Sequence, residues 1–408
     1  MFLKIKMAWR SVWGNWRRTV ITIAAIGFAS FLTIIFSGVN DGTYGANIRL
    51  TCDLFTGYIQ IQKKGYIENP TLTKTFSFTK ELEDKLKSIP NLKGFTTRIL
   101  TEGLVSFKDK TTAASIIGLS PEGEKKVSKL KERVRKGKFI NDESIYDIVV
   151  GYKMLDNLKA KIGDTIVVLT SAYDGSMGNL KFRIAGTSKL GSPDMDAMSL
   201  FMHIDAAKEL LAMNDRVCSV VISLDKLDDI PQAKKQVASV LPNDLVALDW
   251  AEVNPELKQM MDMDASSNMI YYALIIIIIS FGIMNTVLMS ITERFRQFGV
   301  MLAIGMRNVN LMSIVFIELL IIIFFGLLLG NVTGYITNYY LMIHPIPLSG
   351  EMGKFYEEYG FEPAIYSSVL PKIFISTSIN TFIICLIVFL YPAFRVMKLE
   401  ALKGIRYT

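Results

Sequence analysis

The chain has 408 residues, of which half are hydrophobic and 20% are charged, and its mean hydropathy is +0.33. Soluble domains carry about a quarter of charged residues, so this composition excludes an ordinary soluble protein and predicts an integral membrane protein. The net charge of +7 does not predict a nucleic-acid partner, because the surplus lies in short segments beside the apolar runs.

Charge is distributed unevenly along the chain. The N-terminus, the turn after the second apolar run and the C-terminal tail together hold 12 basic and 2 acidic residues, whereas residues 40–268 hold 31 of each. Basic residues are enriched on the cytoplasmic side of membrane proteins. We therefore expect both termini to be cytoplasmic and the large segment 40–268 to be extracytoplasmic.

The first predicted elements are an amphipathic helix and a membrane span. Residues 1–18 place Trp9, Trp13 and Trp16 at helical spacing among basic residues, which is typical of a helix on the inner membrane face. Residues 19–39 carry no charge and are long enough to cross a hydrocarbon core of about 30 Å. Because no small-x-small cleavage site follows, we expect an uncleaved first span.

Residues 40–268 have the patterning of an α+β domain that is large enough for two subdomains. Lys80–Ser88 predicts a helix with Leu82 and Leu86 on one face. The mixed charges of Glu122–Lys138 predict a solvated helix, with a binding role as the alternative. Predicted strands are Gly57–Gln62, Ala113–Gly118, Ile145–Val150, Thr165–Leu169, Leu180–Ala185, Ser199–Ile204 and Val217–Leu224. Predicted helices are Tyr152–Lys159, Asp205–Met213, Pro231–Leu241 and Asn254–Asp264.

Three more apolar runs complete the predicted fold class, an α-helical integral membrane protein with four transmembrane helices. The large α+β extracytoplasmic domain is inserted between the first and second of these helices. The remaining predicted segments are a span at 269–291, a cytoplasmic turn at 292–308, a span at 309–336, a short outer loop at 337–372, a span at 373–393 and a cytoplasmic tail at 394–408.

The third predicted span contains four residues of interest. Gly326, Gly330 and Gly334 recur every four residues and predict close helix packing within the bundle, with a dimer seam as the alternative. Glu318 is the one carboxylate inside a predicted span and is therefore a functional candidate, as part of an ion-coupled carrier. Since no second ionisable residue within a span is available to pair with it, we favour a structural role, hydrogen-bonded inside the bundle.

The sequence carries no recognisable catalytic or metal site. A phosphate-binding loop of the Gly-x-x-x-x-Gly-Lys-[Ser/Thr] type is absent, as is a Gly-x-Ser-x-Gly elbow. Two histidines and three cysteines are too few for a metal cluster, and pairing of Cys52 with Cys218 stays open. We expect no enzyme activity and no bound cofactor, so that any energy comes from another subunit.

The second turn and the tail carry a dense motif. In the turn it comprises Asn285-Thr286, Glu293-Arg294, Phe298-Gly299, Ala303, Gly305 and Glu318. In the tail it comprises Tyr391-Pro392-Ala393-Phe394-Arg395, Glu400-Ala401-Leu402 and Ile405-Arg406-Tyr407. Together with the order of spans and domain, this pattern resembles the MacB/FtsX-type (type VII) ABC transporter permeases along the whole chain.

The resemblance implies partners and a coupling site. It implies a cytoplasmic ABC ATPase dimer that uses ATP and Mg, and a second permease copy or a paralogue. The helix Glu293–Ile304 would dock on the ATPase through exposed phenylalanines, with glycines permitting the return into the membrane. Gln297 departs from the acid common in the family. The implied coupling residues are Glu293, Arg294, Phe295, Arg296, Phe298, Gly299, Leu302 and Gly305.

Within the family, Gly57–Ile61, Gly151–Leu155 and Ile162–Thr165 are similar to the lipoprotein-releasing LolC/LolE-like branch. This implies a multi-pass protein of the bacterial inner membrane that contacts membrane lipid, lipoprotein cargo and a periplasmic carrier. The turn Thr170–Asn179 departs from the branch because it lacks the proline-containing hook. FtsX-like signalling and MacB-like efflux of drugs or peptides are the alternatives. Candidate cargo-facing residues, or else simple interface anchors, are Met260, Met261, Met263, Tyr271 and Tyr272.

Overall fold

A computed structural model describes residues 2–14, 16–358 and 361–397. The chain divides into two compact units. The first unit comprises Met1–Thr43, Asp262–Ile346 and Ile365–Thr408, and the second comprises Tyr44–Met261 and Pro347–Ala364.

Helices occur in both units. In chain order they are α1 Phe2–Gly14, α2 Trp16–Thr51, α3 Lys80–Lys87, α4 Pro121–Val127, α5 Tyr152–Leu158, α6 Pro193–Met198, α7 Ile204–Leu210, α8 Ile230–Val240, α9 Trp250–Val253, α10 Pro255–Glu293, α11 Phe295–Ala303, α12 Asn308–Ile343, α13 Gly350–Glu358 and α14 Pro371–Met397. One π-helical turn, Cys52–Thr56, extends α2.

Strands occur in the second unit, with the last pair divided by the unit boundary. They are β1 Ile59–Lys63, β2 Phe76–Ser77, β3 Leu92–Phe107, β4 Lys110–Leu119, β5 Val134–Gly137, β6 Asp147–Gly151, β7 Thr165–Ser171, β8 Met177–Ser188, β9 Ser199–His203, β10 Arg216–Val217, β11 Ser219–Leu224, β12 Leu245–Asp249, β13 Ile346–Pro347 and β14 Ala364–Ile365. All seven strand runs expected from the sequence correspond to strands.

The candidate membrane-spanning helices lie wholly or mostly in the first unit. Among the described residues, three stretches are long and apolar enough to span a membrane: Trp16–Thr56, Asn308–Ile343 and Pro371–Phe394. A shorter apolar stretch, Ile270–Gly282, lies inside α10. The expected second span at 269–291 therefore stays a prediction. Residues 337–372 hold more regular structure than the predicted loop, because α12 continues to Ile343 and α13 follows.

Part of the second unit is a closed ring of six strands in the order β3-β4-β9-β6-β8-β7, with β7 pairing back onto β3. Alternating side chains point into the ring, since successive residues of a strand face opposite sides. Ile116, Ile148, Val168 and Phe182 are fully buried in its core. The ring therefore has its own hydrophobic core.

The other part of the second unit is an antiparallel sheet, β12-β1-β11-β3. Ile59 and Ile61 of β1 pack with Leu86 of α3 and Val237 of α8 in a separate core. The 16-residue strand β3 belongs to both parts, because its first half pairs with β11 and its second half with β4 and β7.

The predicted solvated helix at Glu122–Lys138 is wrong. Helix α4 ends at Val127, a short 3₁₀ turn follows at Leu130–Arg133, and β5 completes the segment. The segment is not fully solvated either, because the Glu124 side chain is 2% exposed. It accepts hydrogen bonds from Nε and Nη2 of Arg98 at 2.7 and 2.8 Å. A buried bidentate ion pair holds one face of this segment against β3.

The three cysteines Cys52, Cys218 and Cys385 are free and buried. Cys52 and Cys218 belong to the two different cores of the second unit, so they do not pair. Burial raises the pKa of the Cys218 thiol, which favours the unreactive protonated form.

Candidate functional site

Five polar side chains form a cluster where α10 gives way to α11, which we name the corner cluster: Ser11, Arg18, Glu293, Arg294 and Glu318. Helix α10 ends at Glu293, and Arg294 stands between it and α11 in a non-helical conformation. The residue that breaks the helix is thus the one whose side chain turns inward to the bundle.

Glu318 is the centre of the corner cluster. Arg294 Nη1 lies 2.9 Å from its Oε2 and 3.4 Å from its Oε1, and the Ser11 hydroxyl donates a hydrogen bond of 2.6 Å to Oε2. Arg294 Nη2 also donates to the Ser11 hydroxyl. The side chains of Arg294 and Glu318 are only 12% and 8% exposed, so each charge depends on the other for compensation.

The corner cluster joins three separate parts of the first unit. Ser11 comes from α1, Arg294 from the break between α10 and α11, and Glu318 from α12. Beside them, Arg18 of α2 forms an ion pair with Glu293, the last residue of α10. The break between α10 and α11 is thus held to α1, α2 and α12 by polar contacts.

Sequence reasoning missed this pairing. It treated Glu318 as lacking an ionisable partner because it considered residues within the spans alone. Arg294 lies in the turn, 24 residues away, and reaches Glu318 because the turn is short. A signal was present, since Arg294 and Glu318 both belong to the motif of the turn.

Helix α11 presents two faces that differ from the predicted docking face. Phe298 is 4% exposed and packs with Val12, Leu311 and Val315 in the core of the first unit. The expectation that Phe298 is exposed is therefore wrong, because α11 lays its apolar face on the bundle. The side chain of Phe295 lies outside the described residues.

The outward face of α11 carries other residues. Arg296 is exposed, Val300 is 46% exposed and Ile304, just beyond the helix, is 81% exposed. Leu302 is partly buried against the core of the first unit. A basic and aliphatic surface is thus available at this position.

Gly299 and Gly305, both expected in the turn, lie in different elements. Gly305 has φ +101°, and an added Cβ would meet no described atom within 4 Å. Such a backbone conformation strongly favours glycine, so Gly305 makes the return into α12. Gly299 instead lies buried inside α11, which corrects the expectation that it forms part of the turn.

The glycines of α12 lie against α2. A Cβ added at Gly326 or Gly334 would stand 2.7 Å from Cγ2 of Ile26 or Ile34, and one added at Gly330 would stand 2.5 Å from Cβ of Ser30. These distances leave no room for a side chain, so the two backbones approach closely along this face.

The predicted cargo-facing residues all lie on α10, which crosses the boundary between the two units. Met260 and Met261 belong to the second unit, whereas Met263 and the two tyrosines belong to the first. The hydroxyl groups of Tyr272 and Ser37 lie 2.8 Å apart, and Tyr272 packs edge to face on Phe36.

Tyr271 also packs near Phe36, with ring centroids 6.2 Å apart. Tyr271 and Met263 are 57% and 64% exposed. These contacts agree with interface anchors, and a cargo-facing role stays a prediction.

A cavity of about 910 Å³ lies in the second unit, on the sheet face opposite Ile59 and Ile61. Gln62, which lines it and is 3% exposed, donates a hydrogen bond of 2.7 Å to Gln60 and leaves its own Oε1 without a partner. The charge of Arg98 is already neutralised by Glu124. The cavity lining therefore combines buried polar side chains with the carboxylate of Glu102.

Comparisons with known proteins give a consistent picture. A family profile described as a MacB-like periplasmic core domain matches residues 19–240, and one described as an FtsX-like permease C-terminal region matches residues 269–401. The first part of the tail motif, Tyr391–Phe394, lies in α14, whereas residues 398–408, which hold the rest of the motif, and the side chain of Arg395 lie outside the described residues.

Among individual relatives, the lipoprotein-releasing system transmembrane protein LolC of Neisseria meningitidis serogroup B is 24% identical over 78% of this chain and 76% of its own length. The macrolide export ATP-binding/permease protein MacB of Shewanella oneidensis is 21% identical over 81% of this chain and 52% of its own length. The solved structure of the periplasmic region of MacB from Actinobacillus actinomycetemcomitans aligns with 52% of this chain over 95% of its own length, at 11% identity and a TM-score of 0.37.

Proposed function

Because the chain belongs to the MacB/FtsX-type (type VII) ABC transporter permeases, we propose that it couples ATP hydrolysis in a separate ATPase to movement of its extracytoplasmic domain. The proposed cargo is a lipoprotein or another lipid-anchored or periplasmic molecule. Similarity to LolC over more than three quarters of both chains supports this choice. ATP and Mg are bound by the partner, a cytoplasmic ATPase dimer.

The proposed topology has four spans, both termini on the cytoplasmic side and the large domain between the first and second spans. The sidedness of basic residues supports it, and the apolar stretch Ile270–Gly282 inside α10 supports the second span. Two permease subunits, either copies or paralogues, would act together on one ATPase dimer, with a periplasmic carrier receiving the cargo.

The observation that carries the proposal is the corner cluster. Helix α10 is one uninterrupted helix of 39 residues, about 58 Å at 1.5 Å per residue, that begins at Pro255 and ends at Glu293. Arg294 fixes the end of this helix to Glu318 and Ser11 by buried charged hydrogen bonds. A push on α11 would therefore be transmitted to α10 instead of being absorbed in a loose loop.

The proposed ATPase-docking surface is the outward face of α11, formed by Arg296, Val300 and Ile304. Its aliphatic side chains offer area for burial, and Arg296 offers a charge to an acidic partner. Phe298 contributes indirectly, by holding α11 on the bundle.

Coexpression with the partner ATPase tests the docking surface. The Val300→Asp/Ile304→Asp variant is expected to lose ATPase copurification and stimulated ATP hydrolysis, while the permease itself stays folded because both side chains are exposed. Ile162→Asp, an exposed apolar position in the second unit, is the matched control and should retain both. Unchanged copurification of the docking variant would refute the assignment.

A crosslinking experiment tests the cargo. A photoreactive amino acid replaces the exposed Tyr271, and the complex is illuminated in membranes that contain an acyl-labelled lipoprotein. Release of cargo predicts an ATP-dependent crosslink to the labelled lipoprotein. A crosslink to a soluble extracytoplasmic protein alone would instead support signalling of the FtsX type, and a crosslinked drug or peptide would support efflux.

A further inference from the structure

A narrow apolar groove lies in the first unit between the α1–α2 segment and α12. Its volume is about 390 Å³, within the range of pockets that hold small ligands. One wall is formed by Val12, Trp16 and Ile23, and the other by Phe325, Leu329 and further aliphatic residues of α12. Both α2 and α12 are long and apolar enough to cross a membrane, so we expect the groove to open toward lipid.

The groove offers an occupant few hydrogen-bonding groups, because its lining is aliphatic and aromatic apart from two threonine hydroxyl groups and the indole nitrogens of Trp13 and Trp16. The two hydroxyl groups that reach it already donate to backbone carbonyls, Thr19 to Val12 and Thr333 to Leu329, each at 2.8 Å. A polar occupant would lose hydrogen bonds to water without replacement. The chemistry of the walls therefore selects a hydrocarbon chain.

One end of the groove is positively charged. Trp16 is 57% exposed, and the guanidinium group of Arg17 lies 5.7 Å from the centre of its ring. Lys6 and Arg10 are also exposed on α1, and Glu318 and Glu293, which contact α1 and α2, are already paired with Arg294 and Arg18. Tryptophan and arginine prefer the headgroup level of a membrane, and this surplus of positive charge favours an anionic group.

We propose that the groove binds one acyl chain of an anionic phospholipid, with the phosphate facing Arg17. The lipid would fill the space between α1 and α12, next to the hydrogen bond that Ser11 makes to Glu318. It would thereby stabilise the position of α1. The site is independent of the cargo and of the ATPase-docking surface.

Native mass spectrometry tests the site by measuring which lipids the permease retains after purification from lipid vesicles. Phosphatidylglycerol and phosphatidylcholine with the same acyl chains serve as probes. The parent is expected to retain one phosphatidylglycerol per chain in preference to phosphatidylcholine. Arg17→Gln should reduce that preference about fivefold, the equivalent of ~1 kcal/mol for one basic residue at the surface.

Val332→Trp fills the groove and is expected to lower retention of phosphatidylglycerol about tenfold. Ile336→Trp, at a position of α12 that is 61% exposed and outside the groove lining, is the matched control and should leave retention unchanged. Equal retention by Val332→Trp and the parent would overturn the proposal.

A second measurement uses the unmodified protein and does not depend on folding of a variant. Three of the four tryptophans lie between residues 9 and 16, so phosphatidylglycerol with brominated chains should quench the fluorescence more than brominated phosphatidylcholine at equal fraction. Equal quenching would contradict the proposal. So would a disulfide between copies of Leu328→Cys in membranes, because the groove would then be covered by a second copy.

Discussion

Replacing Glu318 by glutamine tests the corner cluster most directly. The substitution keeps the size of the side chain and removes its charge, which leaves the Arg294 guanidinium uncompensated at 12% exposure. Removing one partner of a buried ion pair costs about 3–5 kcal/mol. Ser11→Ala removes two hydrogen bonds, one donated to Glu318 and one accepted from Arg294, while the ion pair remains, and should cost about 1–3 kcal/mol.

The double variant Arg294→Met/Glu318→Met is the decisive control. Since it removes both charges together, no buried charge is left unpaired, and its stability is expected to return to within about 1 kcal/mol of the parent. The parent, the single variants Arg294→Met and Glu318→Met, and the double variant form a double-mutant cycle, whose coupling energy is expected to have the opposite sign to the single losses. The measurement is the free energy of unfolding of the purified permease in mixed micelles.

Cargo release, measured beside ATPase binding, separates an effect on stability from an effect on coupling. The double variant is expected to fold and bind the ATPase but to lose ATP-dependent release of cargo, because α10 is no longer fixed to α12 at its end. A Glu318→Gln protein as stable as the parent would refute the ion-pair reasoning. A double variant with full release activity would show that the corner cluster is not needed for coupling.

Two further substitutions probe the rest of the chain. Burial raises the pKa of Asp196, so the fold favours its neutral form. The stability that this protonation contributes is present below the ordinary pKa of about 4 and is lost as the pH rises through the higher folded pKa. Asp196→Asn should therefore raise the melting temperature at pH 7 but not near pH 4, provided that its amide oxygen still accepts from Leu190; an equal effect at both pH values would contradict this. Gly330→Ala should cost about 1–3 kcal/mol because the new Cβ meets Ser30, whereas Gly282→Ala, whose Cβ would meet no described atom within 4 Å, should cost nothing; equal melting temperatures would refute close packing along this face.

Local patterns predicted much of the fold. The apolar runs predicted the long helices α2, α12 and α14, and alternation of polar and apolar residues predicted strand β1. These features depend on neighbouring residues, and neighbouring residues are what periodicity measures.

Features that depend on distant partners were harder to predict. Strand β3 was missed because it contains Gly94 and Gly103 and buries Arg98, so it lacks simple alternation. Its glycines are needed because other chain segments approach its backbone, and its arginine is neutralised by Glu124, 26 residues away. Phe298 was expected at the surface for a similar reason, since its burial depends on α1 and α12.

The sharing of β3 has a consequence for how the second unit unfolds. One strand supplies hydrogen bonds to β11 at one end and to β4 and β7 at the other, so neither core can open fully without releasing the strand that completes the other. Amide protons of Ile61 and Val168, which lie in different cores, should therefore exchange through the same global opening. The two halves of this unit therefore form one cooperative folding unit, which can move as a rigid body without local unfolding at β3.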